Sequence, residues 1–450
     1  MEKPQVRTQV MAGLSATMAM GSTGYHYGWS SPSLPKLQAN DSDIFLTSDE
    51  GSWVVSFFVV GTMFGPLIAA LLVDTLGRKW SLLMTAVPHT VAGILLAAAR
   101  SYWWFIIARC IAGVGSGMTY IVLPMYLGEI INDDIRGAVG AVVSQMMNAG
   151  ILLTYCVGPW VNRMGLAGLG IALPICFSSI FVWMPESPYF LMMKKRTERA
   201  TESLRWLRGT KDVSGEIAKI ERSIEFDRQN AGTFRDLLTV AGNRKALAII
   251  VGVVIAQQAS GIGAVLAYNG LIFRAAGSNL DPSIDVIIVG LVQVLSGILC
   301  VFTVDLTGRK PLLLGSTFGS IVFLGGVALY FQLDVAGINV DSISWLVLAS
   351  MVGYIITYSI GLGTLVFVML SELFAYNVKA AAGMTTATLG AVCEIAVAKL
   401  YQVVADAWGI QASFWGFAGI TVFSAMFITL FVPETKLKSL QAIQEQFHKP

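Results

Sequence analysis

Acids and bases in this chain come in matched sets. "VDTLGRKW" begins at Val73 and "VDLTGRKP" begins at Val304, 231 positions later, so Asp74 and Arg78 answer Asp305 and Arg309 at the same spacing. Glu129 and Arg136 in "EIINDDIRG" stand seven apart, as do Glu372 and Lys379 in "ELFAYNVKA", and the second pair is displaced from the first by 243. "PESPYF" at Pro185 and "PETKLK" at Pro433 add Glu186 and Glu434. Charges so placed do ion-pair chemistry: an acid at a helix end and nearby bases can bridge two helix bundles, as a latch, when the cytoplasmic side of a membrane protein is shut, and Gly77 and Gly308 permit the tight turns. Taken singly, each charge serves equally well to anchor a helix end and set membrane topology. Their duplication favours the latch.

A second set of titratable groups, His26, His89, Arg109, Glu394 and Lys399, lies inside apolar runs. Within a bilayer such groups are costly and usually mark an ion or substrate path. Glu394 reads either as a neutral acid bonded between helices or as a cavity-lining acceptor or displaced proton site. Lys399 lies about 140° around an ideal helix from it and is no obvious partner. His89, in "AVPHT", reads as a hydrogen-bonded packing residue.

The elements that must position these groups follow from composition. The chain of 450 residues is 55% hydrophobic and only 13% charged, which excludes an ordinary soluble enzyme of two or three domains. Twelve apolar runs, at 8–29, 51–73, 81–99, 103–126, 138–158, 167–184, 246–270, 284–304, 311–331, 345–370, 382–404 and 412–432, are each long enough to cross about 30 Å of hydrocarbon as a helix. Lipid offers no partner to exposed backbone, and the runs lack the alternation of barrel strands, so the expected fold is an all-α integral membrane protein. The polar stretch between runs six and seven carries an Ile217, Ile220, Ile224 stripe at helical spacing and divides the chain into two bundles of six. The expected organisation is a first bundle over 1–184, a central loop over 185–245, a second bundle over 246–432 and a tail over 433–450. Paired bundles of this kind are what alternating access across a membrane needs.

Lys and Arg concentrate on one side of this arrangement, which predicts cytoplasmic termini, loop and tail. The first run lacks a small-residue cleavage site, so an uncleaved helix starting near Met1 is expected. Asn40-Asp41-Ser42 is a glycosylation pattern on the opposite side. The five cysteines all fall inside apolar runs, without paired spacing, and are assigned to packing rather than disulfides. A net charge of +2 gives no reason to expect a nucleic-acid partner. The sequence holds no G-x-x-x-x-G-K-[ST] loop, so no nucleotide or other cofactor is implied, and metal-ligand spacing is also missing. "GVGSG" at Gly113 reads as a close helix contact rather than a phosphate cradle. With no Ser, His and Asp arrangement or paired carboxylates reachable by water, an enzyme is not expected.

Taken together, "DTLGRK", "PMYLGEIINDDIRG", "PESPYFL", "QQASGIG", "VDLTGRK", "SELF" and "PETK" resemble the sugar-porter branch of the major facilitator superfamily, in order and spacing over nearly the whole chain. The opening "GWSSPSLPKL" and "LTSDEGSWVVS" look most similar to insect facilitated trehalose transporters and hexose facilitators. The resemblance implies the major facilitator fold, a lipid bilayer and a small neutral sugar as partners, a plasma-membrane location and a monomer. It also implies sugar contacts at Gln145, Gln257, Gln258 and Gln293, with Asn148 one turn from Gln145. A carboxamide donates and accepts, as a hydroxyl does. An isolated buried Gln would instead be read as an interhelical bond.

Departures from the family pattern bear on that path. Gly263 stands where the family has Asn in "SGIN", Ala267 precedes Tyr268 where an aromatic pair is usual, and Tyr189 replaces the Arg of "PESPR". The tenth run reads Gly363, Thr364, Leu365, Val366, Phe367 in place of G-P-x-P-W, so its helix is expected to break less readily. Phe367 keeps a stacking face without the indole N–H. Proton-coupled relatives carry an acid in G-Y-D facing an Arg on the fourth helix; this chain has His26 in "GYHYG", with Arg109 at the Arg position. An imidazole beside a guanidinium is pushed toward neutrality, which suits a uniporter and leaves Arg109 to carbonyls, hydroxyls or water. The expectation is therefore facilitated diffusion of a sugar by alternating access. A proton-coupled sugar or polyol symporter using His26 or Glu394, and a non-transporting sugar sensor, are the alternatives.

Overall fold

A computed structural model describes residues 6–229, 234–277, 280–374 and 376–436. Among the described residues there is no strand. In chain order the helices are α1 Val6–Gly28, α2 Ser30–Leu37, α3 Ser48–Thr75, α4 Arg78–Met84, α5 Ala86–Ala98, α6 Tyr102–Ile130, α7 Asp133–Val157, α8 Arg163–Phe181, α9 Pro188–Met193 and α10 Thr197–Arg208. There follow α11 Ser214–Gln229, α12 Phe234–Thr239, α13 Ala241–Ala259, α14 Ile262–Ala276, α15 Pro282–Thr307, α16 Arg309–Val335, α17 Trp345–Ile360, α18 Leu362–Leu373, α19 Tyr376–Trp408 and α20 Ile410–Phe431.

Eleven stretches among the described residues are long and apolar enough to cross a membrane. The twelfth expected run, α1, has the length but not the apolarity: Gln9, Ser15, Thr17, Ser22, Thr23 and His26 lie along it, all buried. The physical reason is its surroundings. It packs against α6, α7 and α8, so its polar side chains meet protein rather than lipid.

The chain forms two compact units, residues 1–29 with 57–231 and residues 30–56 with 232–450. In the first unit, helices approach closely wherever side chains are missing. A Cβ on Gly24 would stand 2.0 Å from the Met147 carbonyl oxygen of α7, and one on Gly113 would stand 2.0 Å from the Phe58 carbonyl oxygen of α3. The glycines of "GVGSG" thus serve helix packing, as their place in an apolar run suggests. The core around them is aliphatic and aromatic, with Leu82, Val122, Tyr126, Phe177 and Phe181 sealed from solvent.

The central polar segment is helical and lies with the first unit up to residue 231. Ser187 caps α9, its hydroxyl accepting from Phe190 N–H at 3.2 Å with Pro188 in the first helical position. Gly209 ends α10 in a left-handed conformation at φ 64°. Along α11 the Ile217, Ile220, Ile224 stripe is the partly covered face, while most neighbouring side chains are exposed. Arg208 ties the segment down, donating from Nε to Glu216 at 2.8 Å and from Nη1 to the Ile130 carbonyl at the end of α6 at 2.9 Å.

Two spanning helices of the second unit are interrupted. The first break falls at Ser260 and Gly261, where φ reaches 87° and the Phe417 ring occupies the place of a Cβ. The other falls at Gly361, between α17 and α18. The helix runs unbroken through Thr364 and Val366, where the family's prolines stand, and the break comes two residues before that motif. Glycine supplies the break instead: Gly361 lies against α16 so closely that a Cβ would stand 2.2 Å from Ser316 Cβ. Backbone groups freed by the break find partners, Leu362 N–H on Ser316 Oγ at 3.1 Å and the Ile360 carbonyl on the Cys300 thiol at 3.6 Å. All five cysteines are free thiols.

Candidate functional site

In the first unit, Gln145 and Asn148 sit one turn apart on α7, both partly buried. Gln145 Oε1 is buried without a hydrogen-bond partner, an acceptor open to a donor from outside the fold. Asn148 shares its helix face.

His26 and Arg109 come together as expected, but through the backbone: Arg109 Nη1 donates to the His26 carbonyl at 2.6 Å. Aromatic faces also meet the guanidinium, with Phe58 at 4.4 Å and Trp29 at 5.2 Å from their ring centroids. Sequence reasoning placed His89 among packing residues and missed its neighbour. Its ring stacks on that of His26 at 5.1 Å, and all four ring nitrogens of the pair are buried without hydrogen-bond partners. No spacing signal joins positions 26 and 89; only the packing of α1 against α5 does.

The carboxamides of the second unit gather at its two helix breaks. Gln257, one turn before Gly261, is buried and donates from Nε2 to the Leu362 carbonyl at 2.8 Å and to Gly363 at 3.4 Å. Tyr354 closes the reverse link, its hydroxyl donating to the Ser260 carbonyl at 3.0 Å. The two breaks are thus tied to each other by side chains, and the Ser260 carbonyl, freed at the end of α13, is satisfied by Tyr354. Gln258 is partly exposed, with its Nε2 about a van der Waals contact, 3.9 Å, from the place of a Cβ on Gly390. Gln293 on α15 is partly buried, and Glu394 on α19 is partly exposed. The side chain of Phe367 lies outside the described residues.

Lys399 leaves Glu394 alone, as its angle predicts, and finds Asp49 at 2.5 Å, Ser52 at 2.7 Å and the face of Trp53 at 4.4 Å. Those partners are about 350 positions away in the chain, out of reach of any sequence pattern.

The duplicated charges build the same cluster once in each unit. In the first, Arg78 Nε donates to Glu129 Oε1 at 2.9 Å and the Ser187 hydroxyl donates to Glu129 Oε2. Glu186 Oε1 accepts from the backbone N–H groups of Arg78, Lys79 and Ser187 at 2.8 to 3.0 Å. In the second, Arg309 Nε and Nη2 donate to Glu372 Oε1 at 3.1 and 2.9 Å, and the Thr435 hydroxyl donates to Glu372 Oε2 at 2.5 Å. Glu434 accepts from the N–H groups of Arg309, Lys310 and Lys436. Asp74 stays exposed, 4.0 Å from Arg78. Lys379 is partly buried, and the side chains of Arg136 and Asp305 lie outside the described residues. The sequence singled out the acids and bases but missed Ser187 and Thr435, although each follows a singled-out Glu.

The family described as "Sugar (and other) transporter" matches residues 12–447. The chain belongs to this family. As a member of a transporter family it is a multi-pass membrane protein and not an enzyme. It is 34% identical over 444 residues, 98% of its length, to a facilitated trehalose transporter of Polypedilum vanderplanki, of which it covers 88%. It is 33% identical over 443 residues to the corresponding transporter of Aedes aegypti, covering only 55% of that longer relative. Among solved structures, the inward-open xylose transporter XylE from E. coli superposes with a TM-score of 0.81 at 24% identity, covering 96% of this chain and 98% of that one. The proton:xylose symporter XylE bound to 6-bromo-6-deoxy-D-glucose gives 0.76 at 24% identity, with 98% and 99% covered. This sugar-porter chain thus has the major facilitator fold expected from its motifs.

Proposed function

We propose that this member of the sugar transporter family is a facilitator that carries a neutral sugar, a hexose or trehalose, down its gradient by alternating access. The observation that carries this reading is the relationship over 98% of the chain to proteins named facilitated trehalose transporters. Gln145 and Asn148 from the first half, and Gln257, Gln258, Gln293, Phe367 and Glu394 from the second, act as sugar contacts. The buried, unpartnered Gln145 Oε1 supports that role, because an acceptor left open inside a bundle is costly unless something fills it.

His26 and Arg109 support uniport. The acid of proton-coupled relatives is absent, and Arg109 is served by a carbonyl and two aromatic faces. The charge clusters around Arg78 and Arg309, with Arg136, Asp305 and Lys379, act as the cytoplasmic latch. The protein works in the plasma membrane with cytoplasmic termini and carries a glycan at Asn40, which is exposed in the turn after α2.

Counterflow of radiolabelled glucose and trehalose in proteoliposomes tests the reading. Trans-stimulated uptake that stops at equilibrium and ignores an imposed pH gradient is the expected result. Accumulation driven by the gradient would make the protein a symporter, and binding without flux would make it a sensor.

A further inference from the structure

Glu394 lies near the middle of α19, a 33-residue helix without interruption, where a carboxyl is costly and packing alone would be served by leucine. Its seat is specific. Gly263, in the first turn of α14, has no positive φ that would require glycine, yet a Cβ there would stand 3.0 Å from Glu394 Cγ and 3.3 Å from its Oε1. The missing side chain at 263 therefore makes room for the one at 394. One turn earlier on α19, Gly390 faces Val254 and the Gln258 carboxamide of α13, so this side of α19 is turned toward the two glutamines. Tyr358 of α17 is hydrogen-bonded to Gln257 and lies near Glu394. One carboxyl, two carboxamides and a phenol thus gather on the inner elements of the second unit.

We propose that Glu394 is a substrate-selecting residue, its carboxyl accepting hydrogens from two neighbouring sugar hydroxyls from the seat that Gly263 leaves open. The inference rests on the sugar-transport reading and deepens it. Glutamines offer donors and acceptors alike, whereas a carboxylate presents two acceptor oxygens side by side, a match for a vicinal diol. The substrate class this selects is an unmodified sugar with adjacent free hydroxyls. An analogue lacking one of them leaves a carboxylate oxygen unsatisfied and is rejected.

The test uses the full chain in proteoliposomes, with KM and maximal rate measured for whichever of glucose or trehalose the wild type carries, and for a panel of its single-deoxy analogues. Glu394→Gln keeps the shape but replaces one acceptor oxygen with a donor. It is expected to raise KM about tenfold with the maximal rate retained, and to lose discrimination against one deoxy analogue. Gly263→Ala, which keeps the carboxyl but pushes it aside, is expected to raise KM in the same direction. The double variant Gly263→Ala with Glu394→Ala should be no worse than Glu394→Ala alone. Wild-type KM and discrimination in Glu394→Gln overturn the proposal. Should the Glu394 variants fail to reconstitute, Gly263→Ala decides, and an unchanged KM there overturns it as well. A wild type that moves no sugar refutes the transport reading itself, whereas normal wild-type flux with an unaltered Glu394→Gln profile refutes this inference alone.

Discussion

The two charge clusters repeat one motif in unlike surroundings. Arg78 and Glu129 are 5% and 14% exposed, while Arg309 and Glu372 are 12% and 24% exposed. In the first unit α9 and α10 lie over the cluster, and Ser203 adds a bond to the Glu186 carbonyl at 2.6 Å. The acids that follow the prolines show the consequence. Glu186 gathers all three of its backbone donors on Oε1 and leaves Oε2 buried without a partner, and burial pushes its carboxyl above the usual range against those bonds. Burial works against Glu434 too, but it shares its donors between both oxygens, and the backbone N–H groups of Lys436, Arg309 and Lys310 hold its carboxyl below the usual range. A duplicated motif thus copies geometry without copying energetics. What covers the motif decides which term wins.

The comparison breaks most visibly at the arginines. Arg78→Ala strands Glu129 in the more buried site and should cost about 3 kcal/mol, with Arg309→Ala about half that. Thermal unfolding of the detergent-solubilised variants measures the order; equal losses would show that exposure does not set the weight of the two clusters.

The next effect comes from the turns. Gly77 and Gly308 have φ of 96° and 103° with ψ of 174° and 164°, a region nearly exclusive to glycine. Alanine at either should cost about 2 kcal/mol in strain. A Cβ at 77 would also stand 2.4 Å from Glu186 Oε2, against 2.9 Å from Glu434 Oε2 at 308. Gly77→Ala should therefore lower the melting temperature further than Gly308→Ala, and the reverse order would contradict the tighter packing of the first cluster.

The smallest effect sharpens the contrast, because the two acids shift in opposite directions. Glu186 holds its proton more tightly folded than unfolded, so its contribution favours the fold below the unfolded carboxylate value of about 4.3 and is lost as pH rises through the raised folded value. Glu434 does the opposite. Its contribution is present above the unfolded value and is lost as pH falls through the lowered folded one. Melting temperature followed from pH 3 to 7 (roughly the window these directions define) should change slope in opposite senses for Glu186→Gln and Glu434→Gln. Parallel curves would mean that the two acids share one environment.

Much of the molecule was legible in the sequence because lipid restricts the choices. A run of about 20 apolar residues has to be a helix, and eleven of the twelve expected runs show up as stretches that meet length and apolarity together. The exception, α1, was read as a span all the same, because helical length survives when polar residues face protein. The acids and bases of the clusters were legible through repetition. Their hydroxyl partners were not, since Ser187 and Thr435 look like ordinary loop residues until the fold brings Glu129 and Glu372 to them. The break at Gly361 was not legible, because a lone glycine in an apolar run does not announce a break, and only the fold shows Ser316 pressed into the place of its missing Cβ.

By itself, the sequence determined the class of protein, the number of its apolar runs, its internal repeat and the residue types that could meet a sugar. The first three follow from hydrophobic length and from repetition, properties of a chain read in one dimension, and the last from the resemblance to the sugar-porter family. Tertiary structure alone decided which polar groups meet: His26 on His89, Lys399 on Asp49, Gln257 on the carbonyls that follow Gly361, Glu394 in the space at Gly263. Each of those pairings joins residues far apart in the chain. Their contact depends on how the helices pack, which at Gly263 and Gly361 is set by the side chain that is missing.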